Sequence, residues 1–356
     1  MPKTALRDVV VVGGGPVGLA ATLYAVRAGL SATVLEPRAG PVDKACGEGI
    51  MPGGVRSLDA LGVTPAGREL AGIRYVSGAH QAEAGFGTGH GLGVRRTALH
   101  DALHAAVTAS DVEILPLAAE GMVQTSGSVR LHTRAAGARP GPDVAGRYVL
   151  AADGLHSPTR QALGLQVAAR APKRYGQRRH YATQPWTDHV EVHWGPSGEA
   201  YVTPVGDDLV GVAVLSARRA AFDDLLPEFP LLRERLAGAG AATPVRGAGP
   251  LRQRTSRRVA GRILLVGDAA GYVDALTGEG ISTGLAQARA AVAAIRADRP
   301  QSYEHAWRGA VWRSAALTHA LLQATRPAWS RRAIVPTAAA LPAVFRAAVD
   351  ELGRSR

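Results

Sequence analysis

Four consecutive valines, Val9 to Val12, run straight into Gly13-Gly14-Gly15-Pro16-Val17-Gly18, and an alanine-rich segment, Leu19 to Gly29, follows. A β-branched run this apolar fits a strand buried on both faces, as in a parallel sheet. The glycines then have separate duties. Gly13 permits a tight turn, Gly15 lets a pyrophosphate approach the backbone, and Gly18 lets the following helix pack close to the strand. That helix presents its partly positive N-terminus to the phosphates. A second strand, Ala32 to Leu35, ends at Glu36. An acidic residue about twenty positions past such a turn is placed to take the hydroxyls of an adenosine ribose. Strand, glycine turn, helix, strand and acid together predict a dinucleotide site.

The length of 356 residues predicts two interleaved domains rather than one compact unit. Lys and Arg number 41 against 29 Asp and Glu, a net charge of +12. No basic helix or aromatic platform accompanies that excess, so nucleic acid is excluded as a partner. Phosphate-bearing cofactors or acidic substrates suit it better. Cys46 is the one cysteine, which rules out an intrachain disulfide and a cysteine-rich metal site. His90 has no second ligand near it, so no metal is expected. The start, Met1-Pro2-Lys3-Thr4, reads as no secretory signal, and no apolar run is long enough to span a bilayer. The expectation is a cytoplasmic chain.

Past Glu36, residues 37–54 are too rich in Gly and Pro for regular structure, and they carry Lys44, Cys46 and Glu48. A short helix is expected from Val55 to Leu61 and a strand from Gly72 to Ser77. In Gly85 to Gly93 every second residue is glycine. If extended, one side would be bare backbone, open to a ligand or another chain segment. A helix over 94–107 and strands at 112–115, 129–132 and 147–152 follow. The last of these ends at Asp153-Gly154, a carboxylate at the edge where parallel sheets bind ligands. Residues 171–251 alternate in short runs, an antiparallel meander. Arg178-Arg179-His180 reads as a solvated edge, with anionic-substrate binding as the other reading. The parallel pattern returns at Arg262 to Val266. It leads into Gly267-Asp268, a loop through Gly278-Glu279-Gly280, and a helix from Ile281 to Arg296. Helices are expected over 303–324 and 333–352, and the Leu317, Leu321, Leu322 stripe is read as docked on the body.

Three motifs in fixed order, Gly13-x-Gly15-x-x-Gly18, Asp153-Gly154-x-x-Ser157-x-x-Arg160 and Gly267-Asp268-Ala269-Ala270, resemble the FAD-dependent oxidoreductases of the para-hydroxybenzoate hydroxylase fold. Lys44-x-Cys46-Gly47-Glu48-Gly49 and the stretch from Gly267 to Ile281 are most similar to the geranylgeranyl-reductase-related branch. The resemblance implies an α/β fold: a Rossmann-like FAD-binding domain with an inserted antiparallel substrate sheet and C-terminal helices. The domains would be 1–75 with 94–170 and 252–300 for FAD, 76–93 with 171–251 for substrate, and 301–356 for the helices.

By the same resemblance, the turn residues Gly13, Gly15, Pro16, Val17 and Gly18 would hold FAD. Glu36 and Arg38 would lie at its adenosine end, with Arg96 at the phosphate and ribose side. Asp153 and Gly154 would support the pyrophosphate, and Gly267 and Asp268 the ribityl chain. Gly278, Glu279, Gly280 and Ile281 would meet the pyrimidine edge of the ring. Cys46, Glu48 and Tyr201 would lie on the flavin and substrate side. Two positions depart from the family pattern. Ala275 replaces a usual Pro, and Ala200-Tyr201-Val202-Thr203-Pro204-Val205 keeps a Tyr but lacks a Trp and a Phe, which points away from a long prenyl substrate. The Trp-x-Trp-x-Ile-Pro of flavin halogenases is absent, so halogenation is set aside.

The expected activity is a NAD(P)H-dependent monooxygenase that uses O₂ through a flavin C4a-peroxide on a small apolar, aromatic or terpenoid metabolite. NAD(P)H would bind transiently, without a domain of its own. The alternative is a reductase of carbon–carbon double bonds with Cys46 as proton donor. A third is a flavoprotein without catalysis. Peripheral membrane contact is the disfavoured partner reading.

Overall fold

The computed structural model describes residues 6–169 and 172–354. The first four residues, on which the signal reading rests, and the domain boundary at 170/171 lie outside them.

The chain opens with β1 (Arg7–Val12), α1 (Pro16–Arg27) and β2 (Ala32–Leu35). β3 (Gly72–Ser77) and β4 (His80–Gly85) form a hairpin, and α2 (Arg96–Thr108) leads to β5 (Glu113–Leu115). A second hairpin, β6 (Leu117–Gln124) and β7 (Val129–Ala135), turns at Ser126-Gly127 before β8 (Val144–Ala151). Four long strands follow: β9 (Tyr175–Ala182), β10 (His189–Trp194), β11 (Gly198–Gly206) and β12 (Leu209–Ser216). The chain then returns through β13 (Ile263–Leu265) to α3 (Gly280–Arg296), α4 (Ser302–Ala324), α5 (Ala328–Ala340) and α6 (Pro342–Gly353).

Two eight-stranded sheets result. In the first, β1 lies between β8 and β2, with β13 beyond β8 and β5 beyond β2, all parallel. Val9, Val10 and Val11 are fully buried, because α1 and α3 cover one face and the β6–β7 hairpin joins β8 on the other side. This is the doubly covered strand that four valines require.

The second sheet runs β9-β12-β11-β10-β3-β4. It is antiparallel except where β10 pairs parallel with β3, from His189 opposite Gly72 to His193 opposite Val76. The expected boundary at residue 75 is corrected here: all of Gly72–Ser77 pairs with β10 and belongs to the second sheet. The glycine-alternating stretch lies in strands only at its two ends, Gly85 and Gly91–Gly93. A Cβ on Gly93 would stand 1.8 Å from the Pro204 carbonyl oxygen, so the bare backbone serves chain packing there.

The helix expected over 333–352 is broken, since Pro342 starts a new helix after Leu341 and the two axes meet at 100°. Proline supplies no amide to continue the ladder and favours the first helical position. Leu317, Leu321 and Leu322 pack against the core formed by the second sheet and α6. No single helix among the described residues is long and apolar enough to cross a membrane.

Candidate functional site

A cavity of about 580 Å³ lies between the carboxyl edge of the first sheet and the face of the second. At the end of this cavity beside β1, the turn after that strand is held by contact. A Cβ on Gly13 would fall 2.6 Å from the Ala152 carbonyl oxygen, and one on Gly18 would fall 1.9 Å from the Gly13 oxygen. Both glycines therefore act inside the fold and do not line the cavity. Gly15, Pro16 and Val17 do line it.

Glu36 ends β2 and is buried. Its Oε2 accepts from the Gly14 amide at 2.8 Å, and Arg38 Nε donates to its Oε1 at 2.6 Å. Burial opposes the charged form, but the Arg38 hydrogen bonds outweigh it and hold the carboxyl below its usual range.

Arg38, Lys44 and Arg96 line the cavity in one basic group. Burial, then the neighbouring Arg38 and Arg96 charges, push the Lys44 ammonium down. Arg96 Nε and Asp153 Oδ1 are buried without a protein partner. Such groups are costly unless something else meets them. Asp153 Oδ2 accepts from the Thr159 amide at 2.9 Å, so only its second oxygen faces the cavity without a partner. Asp268 also lines the cavity, with burial raising its carboxyl against the pull of Arg96 and Lys44.

Arg160 fixes these two acids relative to each other. It is fully buried, and it donates to Leu155 O at 2.8 Å and to Ala269 O at 2.9 Å. The segment after β8 is thereby tied to the segment after β13.

Gly154, Gly267, Gly278, Gly280 and Ile281 line the main cavity. Glu279 does not. Its Oε2 accepts from Ser314 Oγ at 2.6 Å, and it lines a separate cavity of about 300 Å³ between α3 and α4. Burial pushes its carboxyl up to about 7. At the head of α3 the backbone faces the main cavity while this one side chain turns the other way.

The loop carrying Cys46 forms the next wall. Cys46 is half-buried, and its Sγ accepts from the Glu48 amide at 3.4 Å. Burial pushes the thiol up, against the pull of Arg96. Glu48 is buried with φ of 61°, a conformation that a non-glycine residue keeps only where its surroundings demand it. The demand is visible: Glu48 Oε1 accepts from the Arg96 amide at 2.9 Å, and Oε2 meets His180 Nε2 at 2.6 Å. His180 Nδ1 lies 2.9 Å from Arg178 Nη1, and Arg178 also donates to Asp43 and to the Lys44 carbonyl.

The reading of residues 178–180 as a solvated edge is therefore corrected. Arg178 and His180 are buried at 1% and 0% exposure, while Arg179 faces outward to Asp223. The period of two puts Arg178 and His180 on one face of β9, but only the pairing with β12 and the overlying loop decide that this face is inside.

Tyr201 lines the cavity, and its hydroxyl donates to the Leu276 carbonyl. Burial raises that phenol well above its ordinary value. Its proton is committed, so Tyr201 anchors the 271–280 loop to the sheet. Thr203, where the family pattern carries Trp, donates to the Gly47 carbonyl at 2.7 Å. The remaining wall is apolar, with Ile73, Val190, Val192, Leu215, Leu251 and Leu352 prominent in it. Among the described residues no cluster of His, Cys, Asp and Glu could hold a metal ion.

Comparison with known proteins identifies the family and the fold. A sequence family described as FAD binding domain matches residues 7–194. The menaquinone reductase of Mycobacterium tuberculosis strain H37Rv is 30% identical over 312 residues, spanning 80% of this chain and 75% of that protein. The digeranylgeranylglycerophospholipid reductase 1 of Methanothermobacter thermautotrophicus is 30% identical over 311 residues, spanning 78% and 74%. Among solved structures, the myxobacterial chondrochloren halogenase CndH superposes with a TM-score of 0.82 at 19% identity, covering 99% of this chain and 93% of its own. The Diels–Alderase PyrE3 superposes with a TM-score of 0.74 at 23% identity, covering 97% and 80%. These two structures speak to the fold alone.

Proposed function

The chain belongs to the FAD-binding-domain family and is an FAD-dependent oxidoreductase, and on that premise we propose that it reduces a carbon–carbon double bond in an apolar substrate, with Cys46 as proton donor. The residues present fit FAD. Open backbone at Gly15, the unpartnered Arg96 Nε and Asp153 Oδ1, and the half-buried Asp268 all border one cavity. Glu36, Arg38, Arg96, Asp153 and Asp268 would hold the cofactor along its length. When bound, FAD supplies two-electron redox chemistry.

The observation that carries the reading is the place of Cys46 in the cavity wall. Its thiol borders the cavity with Sγ against the Glu48 amide, and burial raises it above its ordinary value. A proton donor must keep its proton until the substrate takes it. The thiolate left behind faces the Glu48 amide and the Arg96 charge, and both stabilise it until solvent returns the proton. Glu48 and His180 hold the loop so that Sγ keeps its place. The apolar wall selects an alkene without polar decoration, while the half-buried thiol keeps the contact with solvent that returns its proton. The two curated relatives described above are named as reductases, which supports the same class. The reductant is proposed to be NAD(P)H, bound transiently.

The test is anaerobic. The FAD-loaded protein is reduced with NAD(P)H or dithionite and mixed with short isoprenoid alkenes, and the product is weighed by mass spectrometry. The expected product has gained two hydrogens. Cys46→Ala should slow its formation on the order of 10²-fold while flavin reduction is unchanged. A hydroxylated product formed only in air, or substrate-dependent H₂O₂, would establish the oxygenase expectation instead. Flavin that no reductant and substrate can cycle would establish the non-catalytic one.

A further inference from the structure

We propose that the corner between α5 and α6 is a docking surface for an anionic lipid bilayer. Ala339, Ala340, Leu341, Pro342, Ala343 and Val344 form an unbroken run of exposed apolar residues at the 100° bend between the two helices. Leu341 is 51% and Val344 64% exposed. A single exposed leucine is ordinary, but a contiguous apolar projection marks an interaction site. Trp329, at the other end of α5, is 74% exposed, and Trp312 on α4 is 57% exposed. Tryptophan is the residue that the boundary between lipid and water favours.

Charge says which surface this corner fits. From residue 305 to 349 the chain contains Arg308, Arg313, Arg326, Arg331, Arg332 and Arg346 and no Asp or Glu. These six charges are half of the net +12, gathered in one short part of the chain. Arg313 is paired with Glu351, and Arg331 donates to the Pro196 and Thr325 carbonyls. Arg326, Arg332 and Arg346 are exposed and have no ion-pair partner among the described residues. Basic residues beside an apolar projection are attracted to anionic headgroups while the projection enters the acyl boundary. A second copy of the chain is a poor occupant, since it would bring like charges together.

The helices lie on the surface of a bilayer and do not cross it. Their inner faces are taken by the protein: Val335, Phe345, Val349 and Leu352 are buried in the core beneath. That inner face reaches the cavity. Leu352 lines it, and the Phe345 ring lies 4.7 Å from that of Tyr75, another lining residue. One helix thus touches lipid on its outer side and the cavity on its inner side, so a bilayer-dissolved substrate enters past α6. This delivery step rests on the reductase reading above. The docking does not.

The experiment is vesicle flotation of the full FAD-loaded chain. Vesicles of pure phosphatidylcholine are compared with vesicles that also contain phosphatidylglycerol. Wild type should float with the anionic vesicles, less so as salt is raised, and Trp fluorescence should shift to the blue. Leu341→Ser combined with Val344→Ser should weaken binding at least about tenfold, since roughly half of each aliphatic side chain is left to enter the acyl boundary. Melting temperature and FAD content report that the variant is folded, and both sites are exposed. Equal flotation of wild type and variant would overturn the proposal. So would absence of wild-type binding, or a dimer that the double variant dissociates. Flotation is read without turnover, so failure of the reductase assay leaves this result intact.

Discussion

Glu48 Oε2 stands 2.6 Å from His180 Nε2, joining the Cys46 loop to the middle of the second sheet. A guanidinium only donates, so the Arg178 contact makes His180 Nδ1 an acceptor. The ring hydrogen then lies on Nε2 and points at Glu48. His180→Ala leaves a buried carboxylate without this donor, and it should destabilise the fold by about 3 kcal/mol. Denaturant melts measure the loss. A variant as stable as wild type would mean that the pair is not what holds Glu48 in place.

Gly18→Ala should yield protein without flavin. The new methyl would sit 1.9 Å from the Gly13 oxygen, and its next neighbours are Gly13 and Ala152 atoms at about the same crowded spot. Relief requires moving the turn, at a cost of about 3 kcal/mol. The ratio of flavin absorbance to protein absorbance after purification decides this. Retention of stoichiometric FAD would show that the turn has room that the structure does not display.

Arg160→Lys should loosen the acid pair at the sheet edge. The guanidinium reaches Leu155, Ala269 and Gln166 acceptors from one planar group, with Gln166 Oε1 at 2.6 Å. An ammonium cannot reproduce that fork. The expected loss is about 2 kcal/mol of stability, together with weaker FAD retention, read by thermal melting with and without added FAD. An unchanged FAD-dependent shift in melting would argue against a positioning role.

Glu279 makes stability fall with rising pH. Its folded carboxyl is raised to about 7 from 4.5, burial being the main cause and Glu351 adding to it, while Ser314 and Thr277 hydrogen bonds oppose them. A raised folded value means that the stabilising contribution is full below the unfolded value and is lost as pH climbs through about 7. The shift corresponds to at most roughly 3 kcal/mol. Melts between about pH 5 and 8 should show this decline in wild type and a flatter profile in Glu279→Gln. Equal slopes would place the titrating group elsewhere.

The fold around the β1 end of the cavity was legible in the chain because it is local. Val9–Val12, the glycine turn, α1 and Glu36 lie within thirty consecutive residues or so of one supersecondary unit, and the structure sets Glu36 against the Gly14 amide. Asp153 and Asp268 were also placed by local pattern, each at the end of a strand of the same parallel sheet. The other end was harder to read. Arg178 and His180 resemble any charged pair on an exposed strand, and their burial follows from a loop more than a hundred residues earlier in the chain. Glu279 sits inside a glycine-rich cofactor pattern, yet the position of α4 draws its side chain to Ser314. The break at Pro342 did carry a signal, the proline, which the apolar periodicity on both sides obscured.

Backbone requirements are set residue by residue, so composition and spacing alone dictated the parallel sheet, the glycine turn and the acidic strand ends. Which face of a strand is covered is a different matter. Alternation says only which side chains share a face, and a strand can present either face to its neighbours. The pairing of β9 with β12 and the return of the Cys46 loop across them made the Arg178–His180 face an interior. The packing of α3 against α4 sent Glu279 away from the main cavity. Those choices depend on long-range contacts whose energies exist only once the sheets and helices have come together.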